Sequence, residues 1–341
     1  MRKRIAGLAL AAVFAVSMAA TGCGEKVDEL KENAKARASS ETTTEEETEE
    51  PEETLSEEQM DTIKYNYYVE LNNDLVTLLD DIEYYYEVVD YTEEFSLIQD
   101  SGHTYGYRIR GFGKGLTEDC LELSGMDPAY ETLDPLVKEI AEPAGQLMEA
   151  FSELSRSNNY ADNQYQKAKD LHAIIYPLAD QVEPLAHEYM AAVDEMAGER
   201  IAEEEQRMKD EGKLIAYNAS RGITIAGEIV DECRLQGISD ENLTDLDLTN
   251  IKPLYEELVS VVADLNAATK DNNQMMKESM SNSQPFDQLY ERMIQALEWM
   301  MKQVESGQPI EDIYLEPLGS LAHFTNTLSD CIDRYNTIFV E

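Results

Sequence analysis

The chain has 341 residues, and its 70 Asp and Glu against 27 Lys and Arg give a formal charge of −43. That balance excludes a nucleic-acid binder, because phosphate recognition needs clustered Lys and Arg, and it argues against lying flat on anionic lipid headgroups. It admits cationic partners such as metal ions, polyamines or basic proteins, and in the plainest account it keeps the chain soluble through self-repulsion.

Residues 1–22 have three zones: Arg2, Lys3 and Arg4, then an apolar run from Ile5 to Ala20, then small residues up to Cys23. This is the layout of a secretory signal, and the run is short for a membrane span, which needs about 20 apolar residues. The segment Ala20-Thr21-Gly22-Cys23 resembles the lipobox of bacterial lipoproteins. That resemblance implies cleavage before Cys23 and a diacylglyceryl group on its thiol, hence an extracytoplasmic chain held to a bacterial membrane by its lipid. Loss of 1–22 removes three basic residues and brings the charge to −46. From Glu41 to Gln59 there are ten Glu and no Lys or Arg. Such a run cannot bury enough apolar surface to offset its ordering entropy, so 23–55 is expected to be a lipidated Cys on a disordered acidic tether.

The pattern changes at Ser56. Ser56-Glu57-Glu58-Gln59 fits a capping box, and Met60, Ile63, Tyr67, Leu71, Leu75, Leu78, Ile82, Tyr86 and Val89 follow at helical spacing. This helix carries a tyrosine cluster (Tyr65, Tyr67, Tyr68, Tyr84, Tyr85, Tyr86), expected either as buried rings with wet hydroxyls or as an aromatic-lined groove. Residues 99–133, with six glycines and Arg108, Arg110 and Lys114, read as an irregular, locally basic connection. Gly111 to Gly115 fails as a phosphate loop, since Gly115 stands where a metal-holding Ser or Thr is required.

Asp134-Pro135 suggests an N-cap followed by a first helical residue, with a helix running to Asn158-Asn159. The next helix runs from about Asp162 to Glu211, with His172 on its apolar seam and Pro177 and Pro184 expected to kink it. Its charged end, through Glu203-Glu204-Glu205, is expected to project into solvent. Further helices are expected over Lys213 to Leu235, from about Leu254 to Asp271, from Phe286 to Gly307, and from Leu318 to Ile338. The expectation for 56–341 is therefore an all-α, elongated antiparallel bundle of about six to seven helices, with a candidate sub-bundle division near 237–250.

No catalytic set assembles from the motifs. His187-Glu188 begins like a zinc-protease motif, but Ala191 occupies the place of the second His. His172 reads as a hydrogen-bonded core histidine. Asp240 and Asn242 begin a calcium-like loop that lacks its Gly and its closing Glu. Cys120, Cys233 and Cys331 have no zinc spacing, leaving buried thiols or one disulfide plus a free Cys both open. No metal and no cofactor other than the covalent lipid is expected.

Several stretches together resemble the YiiG-like bacterial lipoprotein family, defined by a domain of unknown function. Lys64-Tyr65-Asn66-Tyr67 with Leu71-Asn72 resembles its opening block. Lys167, Lys169 and His172 resemble a second block, with Ala168 where Gly is usual. Gly212 and Tyr217 resemble a third, without the basic residue expected beside Tyr217. Tyr335-Asn336 resembles the closing pair. The resemblance implies an exported, lipid-anchored, mainly helical domain and no known reaction or ligand. The first expectation is a non-enzymatic helical interaction or binding module with an envelope protein as partner. The second is a small-ligand or cation-binding lipoprotein, and the third an envelope enzyme with a site around His172 or His187.

Overall fold

The computed structural model describes residues 56–339 apart from 100, 107, 157–159 and 282–283. The signal segment, Cys23 and the acidic tether lie outside the described residues. Nine α-helices are found among those described: α1 Glu57–Val88, α2 Leu116–Leu123, α3 Leu133–Ser155, α4 Gln166–Asp210, α5 Leu214–Leu235, α6 Ile251–Ala268, α7 Asn272–Lys277, α8 Leu289–Ser306 and α9 Leu321–Phe339. Seven are the long helices expected from periodicity. The short α2 and α7 are additions, too brief to show a period of their own. Among the described residues there is no strand, and a single antiparallel bridge joins Val89 to Leu97. The protein is an all-α helical bundle.

Local signals set several helix ends. The Ser56 hydroxyl accepts from the Gln59 amide at 3.2 Å, and the Gln59 side chain accepts from the Ser56 amide at 2.9 Å. This reciprocal cap satisfies two amides that otherwise lack intrahelical acceptors. Helix α4 ends at Gly212, whose φ of +65° reverses the chain into α5. That left-handed conformation is one that Gly adopts without the Cβ penalty. Helices α3 and α4 continue through Pro143, Pro177 and Pro184, each of which removes one backbone donor.

The described residues divide into two compact units. The first comprises 56–74 and Asp81–Leu185. Its core is made by Leu71 of α1, Val137, Ile140, Ala144, Leu147 and Phe151 of α3, and Ile175 and Val182 of α4, all fully or almost fully buried. The second comprises Leu75–Asp80 and 186–339 and includes the loop 237–250. There α5 packs against α6 and α9, and α8 packs against both of those. Ile215, Ile223, Ile229, Leu258, Leu297, Phe324 and Leu328 are buried between them. Each such side chain contributes about 1.5–3 kcal/mol through removal from water. Gly222 lets the Tyr290 ring approach α5, since a Cβ there would stand 3.2 Å from that ring. No helix among the described residues is long and apolar enough to cross a membrane.

Two sequence expectations are corrected by packing. Asp134 is not the N-cap of α3: Thr132 holds that position, and Asp134 lies in the first turn with its carboxylate turned into the core. The far end of α4 does not project into solvent at every charged position. Glu205 and Met208 are buried, because α5 and α9 supply partners for them.

Candidate functional site

Three polar clusters are buried in the helices, and of the positions that resemble family motifs Lys64, His172 and Tyr335 fall in them. In the first unit, Lys64 of α1 is fully buried. Its ammonium donates to the carbonyls of Met126 at 2.9 Å and Pro128 at 2.8 Å and to Asp134 Oδ2 at 2.8 Å. Three donors thus meet three acceptors. Asp134 Oδ2 also accepts from the Tyr130 amide at 2.8 Å, and Oδ1 accepts from the Tyr68 hydroxyl at 2.6 Å. The ammonium lies 4.8 Å from the centre of the Tyr130 ring. Burial, reinforced by the neighbouring Asp134, pushes the Tyr68 phenol upward, so it remains a donor. The cluster closes on itself and joins α1 to the start of α3.

The second cluster surrounds His172 of α4, which is 1 % exposed. Its Nε2 lies 2.8 Å from the Thr92 carbonyl and its Nδ1 2.8 Å from the Tyr85 hydroxyl. A carbonyl only accepts, so Nε2 carries the proton, and in the neutral ring Nδ1 accepts from Tyr85. The rings of Phe151, Tyr105 and Tyr86 pack around Tyr85 at 5.2–6.1 Å. Burial raises the phenols of Tyr85 and Tyr105. His172 is a hydrogen-bonded core histidine, as its place on the seam predicts. The tyrosines differ from expectation in their hydroxyls. Those of Tyr68, Tyr84 and Tyr85 bond to Asp134, the Thr104 carbonyl and His172 rather than to water.

In the second unit, Glu205 Oε1 accepts from the hydroxyls of Ser220 at 3.2 Å and Thr224 at 2.8 Å. Desolvation raises its carboxyl, partly opposed by Thr224 and Arg221. Tyr335 of α9 is buried, with its hydroxyl toward Met208 and its phenol raised by burial and then by Glu204 and Glu205.

The remaining motif positions are structural or superficial. Tyr65 and Leu71 are core residues, whereas Asn66 is exposed and Tyr67 half-buried. Asn72 is buried, with neither atom of its amide bonded among the described residues. Lys167 is exposed and pairs with Glu153 at 3.0 Å, and Lys169 is exposed. Gly212 makes the α4–α5 turn, and its carbonyl accepts from Lys277 at 3.0 Å. Lys209 lies over the Tyr217 ring at 5.6 Å. Asn336 has a buried Oδ1.

Asp240 does not act as the start of a calcium loop. Its two oxygens accept from the amides of Leu321 and Ala322 at 2.5 and 3.2 Å and so cap α9, while Asn242 folds its loop back on Ser239 and Gly237. Glu278 caps α5 in the same way, through the amides of Ile215 and Ala216. No group of three or more His, Cys, Asp or Glu among the described residues could hold a metal ion. Cys120, Cys233 and Cys331 are buried free thiols, and burial pushes Cys233 up to about 12. His187 is exposed and remote in the chain from the other histidines.

Sequence reasoning missed Thr92, Asp134 and Glu205 as members of these clusters. Only Asp134 carried a signal, as a helix-start residue, and that signal pointed to another role. A family model described as a protein of unknown function (DUF3829) matches residues 59–337. No curated protein and no solved structure matches.

Proposed function

The chain belongs to the DUF3829 family of proteins of unknown function, and from that premise we propose a lipid-anchored extracytoplasmic protein, YiiG-like in type, whose folded part is a non-enzymatic helical binding module. One observation carries the reading of the folded part: the buried ammonium of Lys64 and the buried imidazole of His172 are saturated by partners inside the fold. Lys64 has three acceptors, and His172 uses both ring nitrogens. A general base or nucleophile needs a lone pair or proton that substrate can reach, and these groups spend theirs on holding helices together. The anchor rests on Ala20-Thr21-Gly22-Cys23 after an apolar run. In this reading Cys23 bears a diacylglyceryl group, and two acyl chains suffice for stable anchoring.

Fractionation tests the anchor. Cys23→Ala moves the protein from the membrane fraction to the soluble one, and a variant wholly retained in the membrane fraction overturns it. Thermal unfolding of the full-length protein against amino acids, sugars, polyamines and metal ions, with ionic strength matched, tests the binding reading. A ligand at 100 times its Kd adds about 2.7 kcal/mol. A hydrolytic or transfer activity abolished by His172→Ala or His187→Ala would replace the module with an enzyme.

A further inference from the structure

The segment after α1 and the middle of α4, both in the first unit, meet in an aromatic corner that reaches the surface. Tyr91 is 41 % exposed, and it is the one aromatic among the large apolar side chains left exposed in the described residues. Its ring stands edge-on to Tyr86 at 4.7 Å and lies tilted by 56° to Tyr176 of α4 at 5.5 Å. Tyr86 and Tyr176 are half-buried. Tyr176 in turn packs on the His172 ring at 5.7 Å, so the corner is backed by the core. The Tyr91 hydroxyl donates to Oδ1 of Asp180, which is exposed and follows Tyr176 by one helical turn.

The charge around this corner is one-sided. Residues 65–107 and 170–199 supply all four side chains, and neither stretch contains a Lys or Arg. Their charged side chains are Asp and Glu. The face of an aromatic ring is itself negative, and the hydrogen bond to Asp180 sets a carboxylate at the rim of the same ring. Both features attract a cation. A metal ion is a poor match, because hard cations need several oxygen ligands and no group of three or more His, Cys, Asp or Glu among the described residues could hold one. A primary ammonium is compact and strongly hydrated. An ammonium whose charge is spread over methyl groups holds water less firmly and suits ring faces. We propose that the Tyr91 and Tyr176 rings, with the Asp180 carboxylate, recognise the trimethylammonium group of a free small molecule. This rests on the binding-module reading and names its ligand class.

The test uses the full-length protein in a maltoside detergent, read by calorimetry at fixed ionic strength. Choline is the probe, and neohexyl alcohol, its uncharged isostere, is the control. Choline is expected to bind saturably and about tenfold more tightly than the alcohol, a factor within the range of a cation–π contact. Tyr91→Leu removes the ring and is expected to weaken choline about tenfold, whereas Tyr91→Phe keeps the ring and should retain most of the binding. Asp180→Asn keeps an acceptor for the Tyr91 hydroxyl, removes the charge and should weaken choline as well. Phosphocholine brings a phosphate into acidic surroundings and should bind more weakly than choline. Equal or tighter binding of phosphocholine would assign the corner to a lipid headgroup and overturn the free cation. The proposal also falls if choline does not saturate, if the alcohol binds as well, if Tyr91→Leu binds choline unchanged, or if Tyr91→Phe loses as much as Tyr91→Leu. Those results leave the module reading standing, which falls only to an enzymatic activity. Should a variant fail to fold, the comparison of choline with the alcohol on the unaltered chain decides alone.

Discussion

Asp134 shows how one carboxylate can organise a region. It is buried against a fully buried ammonium, a phenol and a backbone amide. Desolvating two opposite charges is expensive, and here the cost is offset because each oxygen and each ammonium proton has a partner. Removing one side of such a pair strands the other. Asp134→Ala is expected to lower stability by about 3–5 kcal/mol, measured as the midpoint of urea unfolding. The double change Lys64→Met with Asp134→Leu is expected to cost less than Asp134→Ala alone, because no charge is left unpaired. Equal losses in the two would mean that the ion pair is incidental. Glu205 presents the opposite case, a carboxylate whose burial outweighs its hydroxyl donors and raises its proton affinity. The native state then holds the Glu205 proton more tightly than the unfolded chain. Its contribution is complete below the ordinary Glu range and is lost as pH rises through the raised native value. Glu205→Gln keeps an acceptor for Ser220 and Thr224 and removes the titration. The stability of Glu205→Gln relative to the unaltered chain should therefore increase between pH 4 and pH 8 in paired urea melts. A constant difference across that range would show that Glu205 titrates alike in both states.

At the scale of helices, two carboxylates from distant loops cap helix starts. Helix α5 lacks a side-chain N-cap of its own and α9 has only Ser320, which accepts from the His323 amide at 2.9 Å, and Glu278 and Asp240 each fork across two amides of these first turns. The positive end of the helix dipole adds to these bonds. Asp240→Ala is expected to cost about 0.5–2 kcal/mol, with Asp240→Asn losing less. Calcium should shift the melting temperature of the unaltered chain and of Asp240→Ala equally. A calcium shift lost only in the variant would make Asp240 a metal ligand and overturn the capping role. These caps also mark what the sequence could disclose. The box at Ser56 and Gln59 was legible because its partners are three residues apart. His172 was legible as a core residue because it falls on a helical stripe. The capping role of Asp240 was not legible because its partners lie 81 and 82 positions away, and the sequence around it shows only a polar loop with an incomplete calcium pattern. Glu205 was misread for the same reason. A Glu-rich helical end looks solvated until α5 brings Ser220 and Thr224 against it. The carbonyl of Thr92, which determines the His172 tautomer, carries no side-chain signature at all.

For the whole molecule the governing quantity is the charge of −43. Two opposing consequences follow for salt. Exposed pairs such as Lys167–Glu153 and Lys252–Glu305 are weakened by screening, but each contributes about 0–1 kcal/mol. Repulsion among the surplus carboxylates is also screened, and it acts over longer distances because the Debye length is about 30 Å at 0.01 M and about 8 Å at 0.15 M. With 70 acidic and 27 basic residues, most acidic groups have no basic counterpart available. Relief of repulsion should therefore outweigh the loss of pairs, and the melting temperature should rise when NaCl increases from 10 to 200 mM. A fall would place the surface ion pairs above the repulsion in importance. The same titration separates generic screening from cation recognition. If the acidic surface acts only as a field, spermidine and NaCl at equal ionic strength should shift the melt alike. A larger, saturable shift with spermidine that survives 200 mM NaCl would instead require a site with defined geometry, and would turn the binding module toward a cationic ligand.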